Sequence, residues 1–206
     1  MRNALVLALA LALAVSSPSI AKDYQVAKSC SGARWSLPYA AQAFLTPASD
    51  SEAKASGMVS GNYSGVKPDG QGGVCNGQVF KVTKSGLRLY RVASSSDPQG
   101  AMGGWWSFAK SDQDFTSRSK WRVANAVCKG WNPTASHLFS CRIKPGALLL
   151  VGGTQSAYCS KTSAGGTDSY AQSPTTQVSV GRWQSATDLS MCERPTKISR
   201  WTDAGK

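Results

Sequence analysis

The stretch with the clearest chemical potential is Leu87 to Lys110, where an arginine on a strand is followed by a dense aromatic group. Leu87, Leu89 and Arg91 fall on one side of an extended chain, and Arg88, Tyr90 and Val92 on the other. Arg91 would present a planar, charged donor fork suited to phosphate or carboxylate. Serines 94 to 96, Pro98 and Gly100 then make a turn. Gly103 and Gly104 follow, allowing a backbone or ligand to come close, and Trp105, Trp106, Ser107 and Phe108 add flat faces that could stack on a ring. One cleft built from these residues would take an anionic, ring-containing ligand. The same residues also read as a core strand with exposed arginines and a packed tryptophan cluster, and the stretch alone leaves both readings open.

The inventory of reactive side chains is short. His137 is the sole histidine, so HExxH and any three-histidine metal site are excluded, and a Ser-His-Asp or Cys-His arrangement would have to use it. No nucleophile motif surrounds it, and a lone histidine is commonly a structural hydrogen-bonder. Glu52 and Glu193 are the two glutamates, so a glycosidase-type carboxylate pair would need aspartates. Gly-rich phosphate loops of the GxGxxG or GxxxxGK[ST] kind are absent. No metal site is expected, because no CxxC pair accompanies the single histidine.

The elements that would position these groups can be read along the chain. A helix is predicted across Ser36 to Leu45, with Ser36 as cap, Pro38 in the first turn and Pro47 ending it, and a second from Ser51 to Ala55. Gly57 to Gly77 holds seven glycines and reads as a long surface loop pinned by Cys75, either a cover or a lid. Val79 to Thr83 and Leu87 to Val92, separated by Lys84, Ser85 and Gly86, predict a hairpin. Trp121, Trp131 and Phe139 are expected core pieces in an otherwise weak pattern from Ser111 to Lys144. Ala147 to Val151 predicts a buried central strand, Ser160 to Pro174 another glycine-serine loop, and Thr175 to Val180 a last strand. No repeat or heptad is present.

Composition sets the class. Arg2, the apolar run Ala4 to Val15 and the small residues Ser19 and Ala21 predict a signal peptide over residues 1 to 21, and hence a secreted or periplasmic protein. Residues 22–206 are then expected as one domain: a loop-rich part over 22–78, a core over 79–180 and a tail over 181–206. The tail carries Trp183, Cys192 and Trp201. Six cysteines, Cys30, Cys75, Cys128, Cys141, Cys159 and Cys192, predict three disulfides, with a loop closed between Cys128 and Cys141 as one arrangement. The full chain has a net charge of +12, and loss of Arg2 leaves +11. That excess suits phosphate-bearing partners, anionic surfaces or solubility. Its residues are scattered, so nucleic-acid binding has no motif behind it. No transmembrane segment follows the leader.

Leu89-Tyr90-Arg91, the Gly-Gly-Trp-Trp-Ser segment and the later Ser169 to Val178 together resemble the ADP-ribosyltransferase-like toxins, in particular secreted NAD glycohydrolases of the tuberculosis necrotizing toxin type. The resemblance covers about Leu87 to Val180. It implies that Arg91 grips the NAD pyrophosphate, that Ser107 with Tyr90, Trp105 and Trp106 binds at the nicotinamide end, and that Gln177 hydrogen-bonds the ribose hydroxyls or the attacking water. The superfamily's transferases carry Gln-x-Glu or Glu-x-Glu; Gln177-Val178-Ser179 has no glutamate, which favours hydrolysis over transfer. NAD would then be the substrate with no cofactor needed, and an immunity protein or a target protein the further partner.

The resulting expectation is an α+β fold with a strongly bent antiparallel β-sheet core, short helices, long loops and three disulfides, acting as a toxin-like NAD glycohydrolase. The alternatives are an exported, disulfide-stabilised binding or inhibitor protein with an aromatic binding face, an ADP-ribosyltransferase, and a ribonuclease-like toxin, for which the usual second histidine or Glu-His pair is lacking.

Overall fold

The computed structural model describes residues 35–57, 70–96, 103–110, 114–180 and 188–203. The predicted signal peptide, Cys30 and Trp183 lie outside these residues, as do positions 58–69 of the predicted glycine-rich loop.

The fold is mixed α+β, with antiparallel sheets and a few short helices. Among the described residues the α-helices are α1 (Tyr39–Gln42), α2 (Asp50–Ser56) and α3 (Arg118–Asn125). The strands are β1 (Leu45–Pro47), β2 (Val74–Val82), β3 (Arg88–Ala93), β4 (Trp105–Trp106), β5 (His137–Ile143) and β6 (Leu148–Thr154). They continue with β7 (Ala157–Tyr158), β8 (Ser169–Tyr170), β9 (Ser173–Ser179), β10 (Leu189–Ser190) and β11 (Thr196–Lys197).

Instead of one bent sheet, the described residues form two, plus a small β7–β8 ribbon. The first runs β1-β2-β6-β9-β4; in the second, β5 takes β3 along one edge and β10 and β11 along the other. β6 lies at the middle of the first sheet, where Leu149, Leu150 and Val151 are fully buried, as the apolar run at 147–151 predicts. The main core lies between the sheets, formed by Phe80, Val82, Leu89, Phe139, Ile143, Leu149, Val151, Val178 and Val180. A second cluster behind β3 contains Val92, Trp121, Leu138, Ile198 and Trp201, with Tyr90 packed against it. Leu89 and Tyr90 therefore serve different cores, as strand alternation requires.

The predicted hairpin does not form. β2 uses its two edges on β1 and β6, while β3 pairs with β5, from Arg88 opposite Arg142 to Ala93 opposite His137. The Lys84–Gly86 connection thus crosses between sheets. The first helix is only one turn long, with Pro38 at its cap, and Pro47 belongs to edge strand β1, where a missing N–H is tolerated. α2 begins one residue earlier than predicted, because Ser49 caps it: its hydroxyl accepts from Glu52 N while the Glu52 carboxylate accepts from Ser49 N at 3.0 Å. The weak stretch between 111 and 144 holds both α3, capped by Ser117 and by the Asp203 carboxylate, and β5. The loops predicted at 57–77 and 160–174 are shortened by the start of β2 at Val74 and by β8 and β9.

Of the three disulfides expected, two are seen: Cys128–Cys159 and Cys141–Cys192. The predicted Cys128 to Cys141 loop is therefore not closed; Cys141 sits on β5 and fastens the tail instead. Cys75 is also disulfide-bonded. Disulfides of this kind persist in extracellular or periplasmic compartments. Among the described residues no helix is long and apolar enough to cross a membrane.

Candidate functional site

A cavity of about 280 Å³ opens where the two sheets meet. Tyr90, Arg91, Trp105, Trp106, Ser107 and Gln177, the residues singled out in the sequence, all line it. The backbone brings them together as follows. β4 is hydrogen-bonded to β9 with Trp105 opposite Ser179 and Trp106 opposite Val178. One residue further on, Ser107 leaves that ladder and pairs with Tyr90 of β3: Tyr90 N donates to Ser107 O at 2.9 Å, and Ser107 N to Tyr90 O at 2.8 Å. Gln177 precedes Val178 on β9 and sits opposite Gly152 of β6.

Arg91 is the one charged side chain among the described residues lining the cavity. Its Nη1 donates to the Trp105 carbonyl at 2.9 Å. Burial pushes its pKa down to about 10, so it stays cationic at neutral pH but in surroundings that do not favour charge. Its position depends on Gly103: a Cβ there would lie 2.0 Å from the Arg91 Cζ. Gly103 also accepts the Trp106 indole N–H at 2.7 Å. Trp106 is buried and belongs to the main core, whereas Trp105 is half-buried. The Ser107 hydroxyl donates to Ala109 O at 2.7 Å.

Gln177 is buried, and its Nε2 donates to the main-chain carbonyl of Asn125 at 2.7 Å. That bond leaves Oε1 as the accepting end of the side chain. Asn125, the last residue of α3, and Asn132 are cavity residues that sequence reasoning missed. Asn132 donates from Nδ2 to Val92 O at 2.8 Å and accepts from the Ser94 hydroxyl, which ties this wall to the end of β3. Buried Arg122 supports the same wall by donating to the carbonyls of Val127, Asn132 and Pro133, and burial lowers its pKa. No motif marks these residues; the only sequence signal was a cluster of amides around Trp121 and Trp131.

Trp131 is not a core residue. It lines the cavity and is 37% exposed, because its ring lies over Gly72 at the rim. Gln71 to Gly73 form the facing edge, held to the β7 region by the Gln71–Ala157 bridge and by Gly72 N donating to Ser156 O at 2.9 Å. The Cys128–Cys159 disulfide therefore joins the two sides of this wall.

His137 lies on β5 outside the lining, with Nδ1 2.9 Å from the Ser136 hydroxyl. Neither glutamate reaches the cavity: Glu52 is paired with Lys81 at 2.7 Å and Glu193 with Arg88. The arrangement thus offers one cation, several neutral amide and hydroxyl groups, and aromatic walls.

No family model matches the sequence, and no curated protein matches it either. Among solved structures, the chain is similar to Tne2 in its complex with Tni2, at 14% identity and a TM-score of 0.39, over 61% of this chain and 92% of that one. A likeness at this level carries no argument about activity.

Proposed function

We propose that the cavity binds NAD and that the protein is a toxin-like NAD glycohydrolase, cleaving the bond between nicotinamide and ribose. The observation that carries this reading is the convergence of Arg91, Gln177, Ser107 and the flanking aromatics on one cavity, though they come from three separate strand regions. One Arg91 donor is engaged by the Trp105 carbonyl; in this reading the guanidinium contacts the pyrophosphate and the half-buried ring of Trp105 stacks on nicotinamide.

The chemistry suits a site without a carboxylic acid among its described residues. Nicotinamide in NAD is a pyridinium, so when the C1′–N bond breaks the ring nitrogen takes the bonding pair and leaves neutral, with no proton required. Water then forms the new C1′–O bond and loses its proton to solvent. The protein has to hold the ribose, exclude bulk water and direct one water to C1′. Gln177 Oε1 accepts from a ribose hydroxyl or from that water. Transfer to a protein acceptor would need a carboxylate to orient the acceptor, and none lines the described cavity. Among the described tryptophans Trp106, Trp121 and Trp201 are buried, Trp35 and Trp105 are half-buried and Trp131 is exposed, a single ring and not the row of open faces a binding module would use. An immunity or target protein belongs to the same proposal.

The test is nicotinamide release from NAD by the purified, oxidised protein beside Arg91→Ala and Gln177→Ala. Release that drops about 10²- to 10³-fold in each variant is the expected result. No release from a parent shown to be folded by circular dichroism would overturn the reading.

A further inference from the structure

The cavity, at about 280 Å³, lies at the lower end of ligand pockets, which run from roughly 300 to 1,000 Å³. A dinucleotide carries two nucleosides joined by a pyrophosphate, and a space of this size holds one of them. With the nicotinamide end beside buried Ser107 and Gln177 and the pyrophosphate at Arg91, the second nucleoside has to lie at the rim. Among the described aromatics lining the cavity, Trp131 is the exposed one.

Several contacts fix that ring. Its Nε1 donates to the Ser163 hydroxyl at 3.2 Å. Gly72, at φ +75°, passes close beneath it, and a Cβ there would come within 3.1 Å of the ring. Gly130 packs so closely on Ala164 that a Cβ would lie 2.1 Å from its carbonyl oxygen, and Cys128 is bonded to Cys159. An indole held this firmly yet 37% exposed is a preorganised surface for a planar group, because little side-chain entropy is lost when a ring settles on it.

Building on the NAD reading, we infer that Trp131 is a ligand-binding residue that stacks the purine of the dinucleotide at the cavity rim. It acts on affinity and not on bond cleavage, so its loss raises KM and leaves kcat near the parent value.

The experiment is calorimetric titration of the full, oxidised protein with ADP, the purine half alone, and with nicotinamide mononucleotide, the other half. Trp131→Leu, which fills the wall without a stacking face, weakens ADP binding about 5- to 150-fold and leaves the mononucleotide little changed. Trp131→Phe retains most of the ADP affinity, and near-UV circular dichroism verifies the fold of each variant. Equal ADP affinity in the parent and Trp131→Leu overturns the inference, as does an equal loss for both halves, or a parent that binds no ADP. Nicotinamide release is scored separately. Release with ADP binding indifferent to Trp131 sinks this inference alone, and ADP binding through Trp131 without release sinks the hydrolase reading alone.

Discussion

The Gln177 side chain and the Asn125 main chain share a 2.7 Å hydrogen bond, so the last residue of α3 and an inner strand of the first sheet are joined inside the cavity wall. The bond fixes which end of the amide faces a ligand. Gln177→Ala removes both the orienting donor and the accepting oxygen, and leaves a buried carbonyl without that partner. It should lower stability by about 1–3 kcal/mol in denaturant titrations and nicotinamide release far more steeply. Gln177→Glu should not rescue, since a carboxylate beside the Asn125 carbonyl has nothing to donate.

Gly103 offers a test of Arg91 that leaves the arginine in the sequence. The atoms that a new methyl would strike are the Cζ and both Nη of a flexible side chain, so Gly103→Ala should fold with a Tm close to the parent. The guanidinium would be displaced, and NAD turnover should fall nearly as far as in Arg91→Ala. A fully active Gly103→Ala protein would show that the position of Arg91 does not matter.

The two complete disulfides should be separable by function. They close 31 and 51 residues, and the chain-entropy model assigns each about 3–4 kcal/mol of stability. Replacing either pair with serine should therefore lower Tm comparably. Of these two, the Cys128/Cys159 pair ties the Trp131 segment to the β7 region on which Gln71 is bridged, so its loss alone should also raise KM for NAD. Kinetics well below both melting points distinguish the two.

Glu52 predicts an acid-sensitive stability. Its hydrogen bond to Lys81, helped by the Ser49 cap, holds its pKa at about 2 against an ordinary 4.5. A carboxylate depressed in the folded state stabilises above the unfolded value, and that contribution fades as pH falls from about 4.5 towards 2. Glu52→Gln should flatten the dependence of Tm on pH across this window, and added salt should weaken the effect because the pair is exposed.

What the sequence made legible was local. Leu87 to Val92, Ala147 to Val151 and Thr175 to Val180 alternate or run apolar strongly enough to mark strands, and all three are strands. The error at Lys84 to Gly86 came from a turn signal that gives no account of pairing: β3 finds its partner in β5, far along the chain, and nothing local encodes that choice. α3 escaped notice because its buried residues are Trp121, Arg122 and Asn125, a face too polar to register as periodic. Trp131 was misplaced for a related reason. Its burial is decided by Gly72 and Ser163, both remote in sequence, and an indole looks alike in either setting.

The paired hydrogen bonds between Tyr90 and Ser107 have a consequence for how the cavity moves. On this side the two sheets are stitched by main-chain bonds, so widening the cavity here would mean tearing backbone pairing at Arg91's own doorstep. The opposite wall, from Gln71 to Gly73 and from Ala126 to Asn132, is tied down as well: Gly72 N donates to Ser156 O, Gln155 N to Gly73 O and Tyr158 N to Gly70 O, and the Cys128–Cys159 cross-link fastens it further. Both flanks are therefore braced by backbone pairing, and widening the cavity on either one costs main-chain hydrogen bonds. A vessel braced on both sides keeps one shape whether empty or filled, so a molecule entering it would meet walls already standing where they are needed.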